Sequence, residues 1–217
     1  LWPMLKLRTL NYCPATAETP ILRNVSLEAE VGKPVLIAGA SGSGKTSLMD
    51  VISGLSAEQS GQVLWNERTL TRRQRRWLCG LVFQFPERHF LGLTLGQELR
   101  LGHRRVSSDK LQNVLAQVGL ETVSLQMPPE RLSGGQQRRL ALAVQLLRGA
   151  EVLLLDEPTA GLDWSVRSDV LTLLAELSKQ RVVIVVTHEP QLFEGWSCNR
   201  YQLRNGGLEP ASKLPSL

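Results

Sequence analysis

Gly39-Ala40-Ser41-Gly42-Ser43-Gly44-Lys45-Thr46 carries the densest chemical signal in the chain, a match to G-x-x-x-x-G-K-[ST] followed by Ser47. Glycines at this spacing let the backbone curl until successive N–H groups and the start of a helix point at phosphate oxygens. Lys45 would add positive charge at the outer phosphates, and the Thr46 hydroxyl is a ligand for a divalent cation. The alternative is a plain glycine-rich turn ahead of a helix. The flanks decide against it, because an apolar strand pattern precedes the motif and helical spacing follows it.

A second cluster ends the apolar run Val152-Leu153-Leu154-Leu155 with Asp156 and Glu157. Carboxylates closing a buried strand need a partner, since a desolvated charge is costly alone. A magnesium ion supplies one. Asp156 would hold it, with Thr46, and Glu157 would orient and polarise a water for attack on a terminal phosphate. Leu132-Ser133-Gly134-Gly135-Gln136, followed by Gln137-Arg138-Arg139, is a further set of backbone donors and a hydroxyl at a helix start. It reads as a second phosphate-binding surface. One chain cannot easily fold both surfaces around one phosphate, whereas two chains head to tail can.

These motifs together resemble the ATP-binding cassette (ABC) ATPases, and the likeness runs over nearly the whole chain. The resemblance implies ATP and Mg2+ as cofactors, hydrolysis at a dimer interface, and further roles. Gln84 looks like the glutamine that senses magnesium, so the metal set is Thr46, Gln84 and Asp156. Asp163, in Ala160-Gly161-Leu162-Asp163, fits a loop crossing the interface. His188 looks like the switch histidine beside the terminal phosphate, which makes the catalytic set Glu157, His188 and Gln84. Tyr12 falls where the family commonly stacks an aromatic on adenine, with a strand aromatic packed on the core as its rival reading. Val82 to Phe90 resembles the cobalt and energy-coupling-factor branch, and with Ala160 to Trp164 its cyanobacterial and plastid relatives. The C-terminal extension common in that branch has no counterpart in the sequence, so a homo- or heterodimer formed on ATP binding is expected rather than a permanent one.

Elements able to position these groups can be read from the pattern. Strands are expected over Met4 to Leu10, Asn24 to Glu30, Val35 to Ala38, Gln62 to Trp65 and Leu81 to Phe83, with a helix over Thr46 to Gly54. Helical spacing runs from Leu95 to Arg148, with Leu111, Val114, Leu115 and Val118 on one face and Leu140, Ala143, Val144 and Leu147 on another. Val152 to Leu155 and Val182 to Val186 read as buried parallel strands joined through a helix over Val166 to Leu177. The expectation is an α/β fold: a P-loop NTPase core with a mainly parallel sheet, an N-terminal antiparallel β subdomain and an inserted α-helical lobe. One domain spans 1–217, with its core at about 1–84 and 150–217 and the lobe at about 85–149.

Composition limits the function. Hydrophobic residues make up 42% and charged residues 21%, as in packed globular proteins rather than disordered chains. No apolar stretch approaches the roughly 20 residues of a membrane span, and Leu1 to Leu10 lacks the features of a signal peptide. The net charge of +5 has a local source at Arg68, Arg72, Arg73, Arg75 and Arg76. That run reads as a solvated loop ahead of a strand, and no nucleic acid is expected as a partner. Cys13, Cys79 and Cys198 fit no metal pattern and are expected to be reduced, partly buried thiols.

The resemblance then implies partners: a membrane-spanning transporter subunit and a second ABC ATPase chain. The location implied is cytoplasmic, peripheral on the inner membrane face, or stromal in a plastid. Phe85-Pro86-Glu87-Arg88-His89-Phe90-Leu91-Gly92-Leu93 is more apolar than a linker needs and suggests a docking surface, against the alternative that Phe90 and Leu91 pack under the lobe. A soluble ABC ATPase acting in assembly or regulation is the other functional class. Translation-associated and DNA-repair relatives need a second cassette or a long coiled-coil insertion.

Overall fold

The computed structural model describes residues 3–211. Two sheets share the work. Strands β1 (Met4–Tyr12), β2 (Leu22–Glu30), β4 (Ser60–Trp65) and β5 (Arg68–Thr69) form an antiparallel sheet in the order β2-β1-β4-β5. Strands β3 (Val35–Ala38), β6 (Cys79–Val82), β7 (Val152–Asp156), β8 (Val182–Thr187), β9 (Asn199–Arg204) and β10 (Gly207–Pro210) form the larger sheet, ordered β10-β9-β3-β8-β7-β6. All its neighbouring pairs are parallel except β10 with β9. In that register Ala38 pairs with Thr187 and Asp156 with Val186, so the C-terminal strand ends gather at one edge. Ligands of open α/β sheets bind outside that edge.

The unbroken apolar runs are explained by burial on both faces. Leu36, Leu153, Leu155, Val183 and Val185 join a core that holds α3 (Leu95–Arg100), α4 (Ser108–Val118), α5 (Gly134–Leu147) and α6 (Trp164–Ser178). The alternating residues Val35, Ile37, Val152, Leu154, Val182, Ile184 and Val186 face a second core, shared with α1 (Lys45–Ser53) and the antiparallel sheet. The period of two along each strand thus separates the two halves of the interior.

The basic run departs from expectation. Residues 72–78 form α2 (Arg72–Leu78), opened by a Thr71–Gln74 capping box, and not a loop. Arg75 within it has no solvent exposure: it donates to the Val51 carbonyl at 2.8 Å and pairs with Glu58 at 2.5 Å. A local run of arginines says nothing about which one faces inward, and here the partners lie on α1 and in the segment that follows it. Cys13, Cys79 and Cys198 are free thiols, with burial raising the Cys79 thiol to about 12. No helix among the described residues is long and apolar enough to cross a membrane.

Candidate active site

The glycine-rich loop leaves β3 at Ala38, and the Gly39 N–H donates to the Thr187 carbonyl at 3.1 Å, anchoring the loop against β8. Gly44 caps α1 with φ of 100°, a conformation that a side chain would oppose, which is why the turn into this helix takes glycine. Lys45 is 8% exposed, and its ammonium donates to the carbonyls of Gly39 at 2.7 Å and Ala40 at 2.9 Å. Burial lowers its pKa, while the charges of Glu157 and Asp156 act in the opposite direction.

Across the cleft, the Thr46 hydroxyl lies 3.5 Å from Asp156 Oδ2. Burial pushes the Asp156 carboxyl upward and the neighbouring Glu157 adds to the rise; Lys45 and the Thr46 hydroxyl oppose it. Glu157 stands in the left-handed region at φ of 47° and is 5% exposed. Its carboxylate accepts from the Thr187 hydroxyl at 2.7 Å and the His188 N–H at 2.7 Å, and lies 2.6 Å from His188 Nδ1. A non-glycine residue held at positive φ beside a saturated carboxylate is the kind of strain that concentrates at functional sites.

Ser41, Gly42, Gly44, Lys45, Thr46, Ser47, Gln84, Asp156, Glu157 and His188 therefore line one cleft of about 420 Å3, together with Ile21. Thr46, Gln84 and Asp156 can each offer a side-chain oxygen, the donor type a hard divalent cation takes. Among the described residues no three His, Cys, Asp or Glu side chains group as a metal site. A magnesium ion here would complete its shell from phosphates and water, as it does at nucleotide sites.

Leu132 to Gln136 lies elsewhere. Ser133 caps α5, accepting from the Gln136 N–H at 3.2 Å, while the Gln136 side chain accepts from the Ser133 N–H at 2.9 Å. Leu132 is buried beneath the turn and Ser133 is exposed. A methyl group at Gly135 would stand 2.5 Å from Val166 Cγ1, so helix α6 requires glycine there. None of these five residues lines the cleft, so the chain does not fold this turn onto the loop around Lys45.

Comparison with known proteins decides the family. The model of the ABC transporter family matches residues 22–160, well over half the chain. This chain belongs to the ABC transporter family. It is 34% identical to ABC transporter I family member 11, chloroplastic, of Arabidopsis thaliana, over 97% of this chain and 82% of that one. A Staphylococcus aureus (strain Newman) ATP-binding protein named for hemin import, HrtA, is also 34% identical, over 85% and 89%. Among solved structures, cbiO1 from Clostridium perfringens, part of the cbiONQ transporter complex, has a TM-score of 0.86 at 28% identity, covering 96% of this chain and 88% of that one. The chain is an ATPase of this family, with the P-loop α/β fold read from the sequence.

In this ABC ATPase, Tyr12 pairs with Leu22 and accepts at its carbonyl from the Ile21 N–H at 2.8 Å. Its hydroxyl lies 3.4 Å from Ser56 Oγ and its half-buried ring packs at the rim of the second core. Ile21, rather than Tyr12, contributes to the cleft lining. Asp163 is exposed and caps α6, accepting from the Val166 N–H at 3.0 Å. Phe90 is half-buried against the helical core, as the packing alternative had it, but Leu91 and Leu93 are 82% and 77% exposed.

Sequence reasoning missed Ile21, Thr187 and Arg138. A β-branched residue ahead of a strand carries no chemical signal. Thr187 holds Glu157 only because β7 and β8 are neighbours, and Arg138 reads as one more basic residue on a helix. For Arg138 a signal did exist, in its place within the run after Gln136.

Proposed function

We propose that this chain is the ATP-binding and ATP-hydrolysing subunit of an ABC transporter, coupling hydrolysis at a head-to-tail dimer interface to solute transport by a separate membrane subunit. What supports this reading is that one chain holds two glycine-rich turns that do not meet, one in the cleft around Lys45 and the other exposed at Ser133. Two copies can close on two nucleotides, and reopening after hydrolysis would drive a partner between conformations. In this reading Gly39 to Ser47 binds the phosphates, and Thr46, Gln84 and Asp156 hold Mg2+. Glu157 polarises the attacking water with His188 beside the terminal phosphate, and Asp163 lies at the interface. Residues 1–217 act as one domain whose helical lobe, about 85–149, presents Ser133 to the second copy. The chain would sit at the inner face of a membrane.

Docking on the partner would use the exposed apolar side chains after Gln84, namely Phe85, Leu91 and Leu93, and not the packed Phe90. Affinity purification from a detergent extract, with the parent and a Leu91→Asp, Leu93→Asp variant side by side, tests the transport reading. The expected result is one polytopic membrane protein with the parent, and its loss from the variant while ATP turnover by the isolated variant persists. Soluble partners alone, unaffected by the two substitutions, would replace transport with the assembly reading.

A further inference from the structure

The guanidinium of Arg138, one turn into α5, donates to three backbone carbonyls from three separate segments. Nη1 reaches Gly134 O at 3.1 Å, and Nη2 reaches Gln84 O at 3.4 Å and also Ala160 O. Gly134 lies on the second phosphate surface, Gln84 lines the cleft, and Ala160 opens the loop that ends at Asp163. The residue is 5% exposed, and burial lowers its pKa, with only the charge of Glu87 opposing. No carboxylate among the described residues pairs with it, and its Nε is buried without an acceptor.

Stability does not account for such a group. A buried cation without a counter-charge is costly to desolvate, and the carbonyls it bridges offset only part of that cost. What the fork of donors supplies is geometry, because a planar guanidinium fixes the relative position of the carbonyls it bridges. The surroundings leave little slack: Gly135 is pressed against Val166, and a methyl at Gly134 would stand 3.2 Å from Leu162 Cδ2.

We infer that Arg138 is the positioning residue that ties the backbone at Gln84 and at Ala160 to the start of α5, so that filling the cleft orients the Ser133 surface. Any backbone movement at Gln84 when phosphate and metal enter the cleft is carried through one rigid side chain to the turn that a second copy would use. The inference rests on the proposal that the two surfaces act together. Its test is chosen to be read on the isolated chain, without the membrane partner.

Arg138→Met and Arg138→Lys are compared with the parent in thermal stability, ATP affinity, turnover and ATP-dependent hydrogen exchange. Arg138→Met is expected to melt only a few degrees below the parent, the cost of the carbonyls left without a donor, and to keep its ATP affinity while turnover falls roughly 10- to 100-fold, the scale of an ångström's misplacement. Protection induced by ATP and Mg2+ should persist over residues 39–47 and disappear over residues 132–140. Arg138→Lys, with a charge but no fork, should recover part of both. Exchange over 132–140 needs neither a dimer nor a transporter, so it separates failure of this brace from failure of the functional reading. Parent turnover with unchanged protection in the Met variant overturns the inference, and so does a fall in ATP affinity that matches the fall in turnover. Should Arg138→Met not fold, Arg138→Lys decides: lowered turnover and weakened protection at the parent's Tm support the brace, and parent values in both refute it.

Discussion

The two glycine-rich turns of this chain look alike in sequence and differ in what surrounds them. Gly39 to Thr46 sits at the C-terminal edge of a parallel sheet, opposite two carboxylates and a histidine that belong to the same chain. Leu132 to Gln136 opens a helix whose donors are capped by its own Ser133 and Gln136 and whose outer side faces solvent. The first turn has acids and a histidine of its own chain around it; the second has a positive helix end facing solvent. The difference teaches that similar glycine-rich turns are told apart by what the fold places around them, here the acids at the ends of neighbouring strands. Here one chain supplies those for one turn only.

Removing the acid should have the largest effect. Glu157→Gln keeps the volume and leaves Lys45, Thr46 and Asp156 untouched, so ATP binding should survive while turnover falls by about 10²- to 10⁴-fold, the usual weight of a general base. Size-exclusion chromatography with ATP and Mg2+ should show a persistent dimer. A variant that turns over at the parent rate, or stays monomeric at high concentration, would remove Glu157 from its proposed role.

The second turn is broken by Ser133→Arg. Losing one phosphate donor at a reacting site costs on the order of 10²-fold in turnover, and loss of the cap adds about 1 kcal/mol of instability. ATP affinity of the isolated chain should hardly change, because Ser133 lies outside the cleft. Equal losses in affinity and turnover would mean that Ser133 serves its own chain's nucleotide and that the two turns are not halves of a shared site.

Tyr12→Ala sharpens the comparison at the base rather than the phosphates. Stacking would contribute about 1–3 kcal/mol with little preference among bases, so ATP and GTP should weaken together in a titration. The half-buried ring gives the rival outcome equal clarity: an unchanged affinity with a lowered Tm makes Tyr12 a rim residue of the second core, and Ile21 the wall of the base site.

Why the first turn was so legible follows from its covalent spacing. A loop, a lysine and a helix start lie within eight residues, and β7 and β8 announce themselves by unbroken apolar runs because both faces are covered. The helical lobe was visible through its spacing at Leu111 to Val118. Arg75 and Arg138 were not, since each is buried by carbonyls or carboxylates from distant segments, and exposure is the reasonable expectation for an arginine. Thr187 was hidden for the same reason: its contact with Glu157 spans neighbouring strands, and strand order is a property of the fold. Phe90 and Leu91 are adjacent yet part company, one against the helical core and the other in solvent.

The smallest effect concerns what the first turn costs the fold. Burial above all, with the charge of Glu157 adding to it, holds the pKa of the Asp156 carboxyl in the folded state above its ordinary value of 3.8. The sign follows: the neutral carboxyl is favoured in the folded state, so its ionisation above that raised value destabilises the fold, and the penalty fades as pH falls back through the raised pKa towards 3.8. Asp156→Asn should therefore be more stable than the parent at neutral pH, at about 2–4 °C of Tm per kcal/mol gained for a chain of this size. Its advantage should shrink as the pH is lowered. Addition of ATP with Mg2+ should reverse the order, because only the carboxylate recovers its desolvation through the cation. Thermal melts across pH, with and without Mg2+, read both changes. A variant less stable than the parent at neutral pH would mean that the pull of Lys45 and Thr46 on Asp156 outweighs burial, and that this acid holds the fold together rather than straining it.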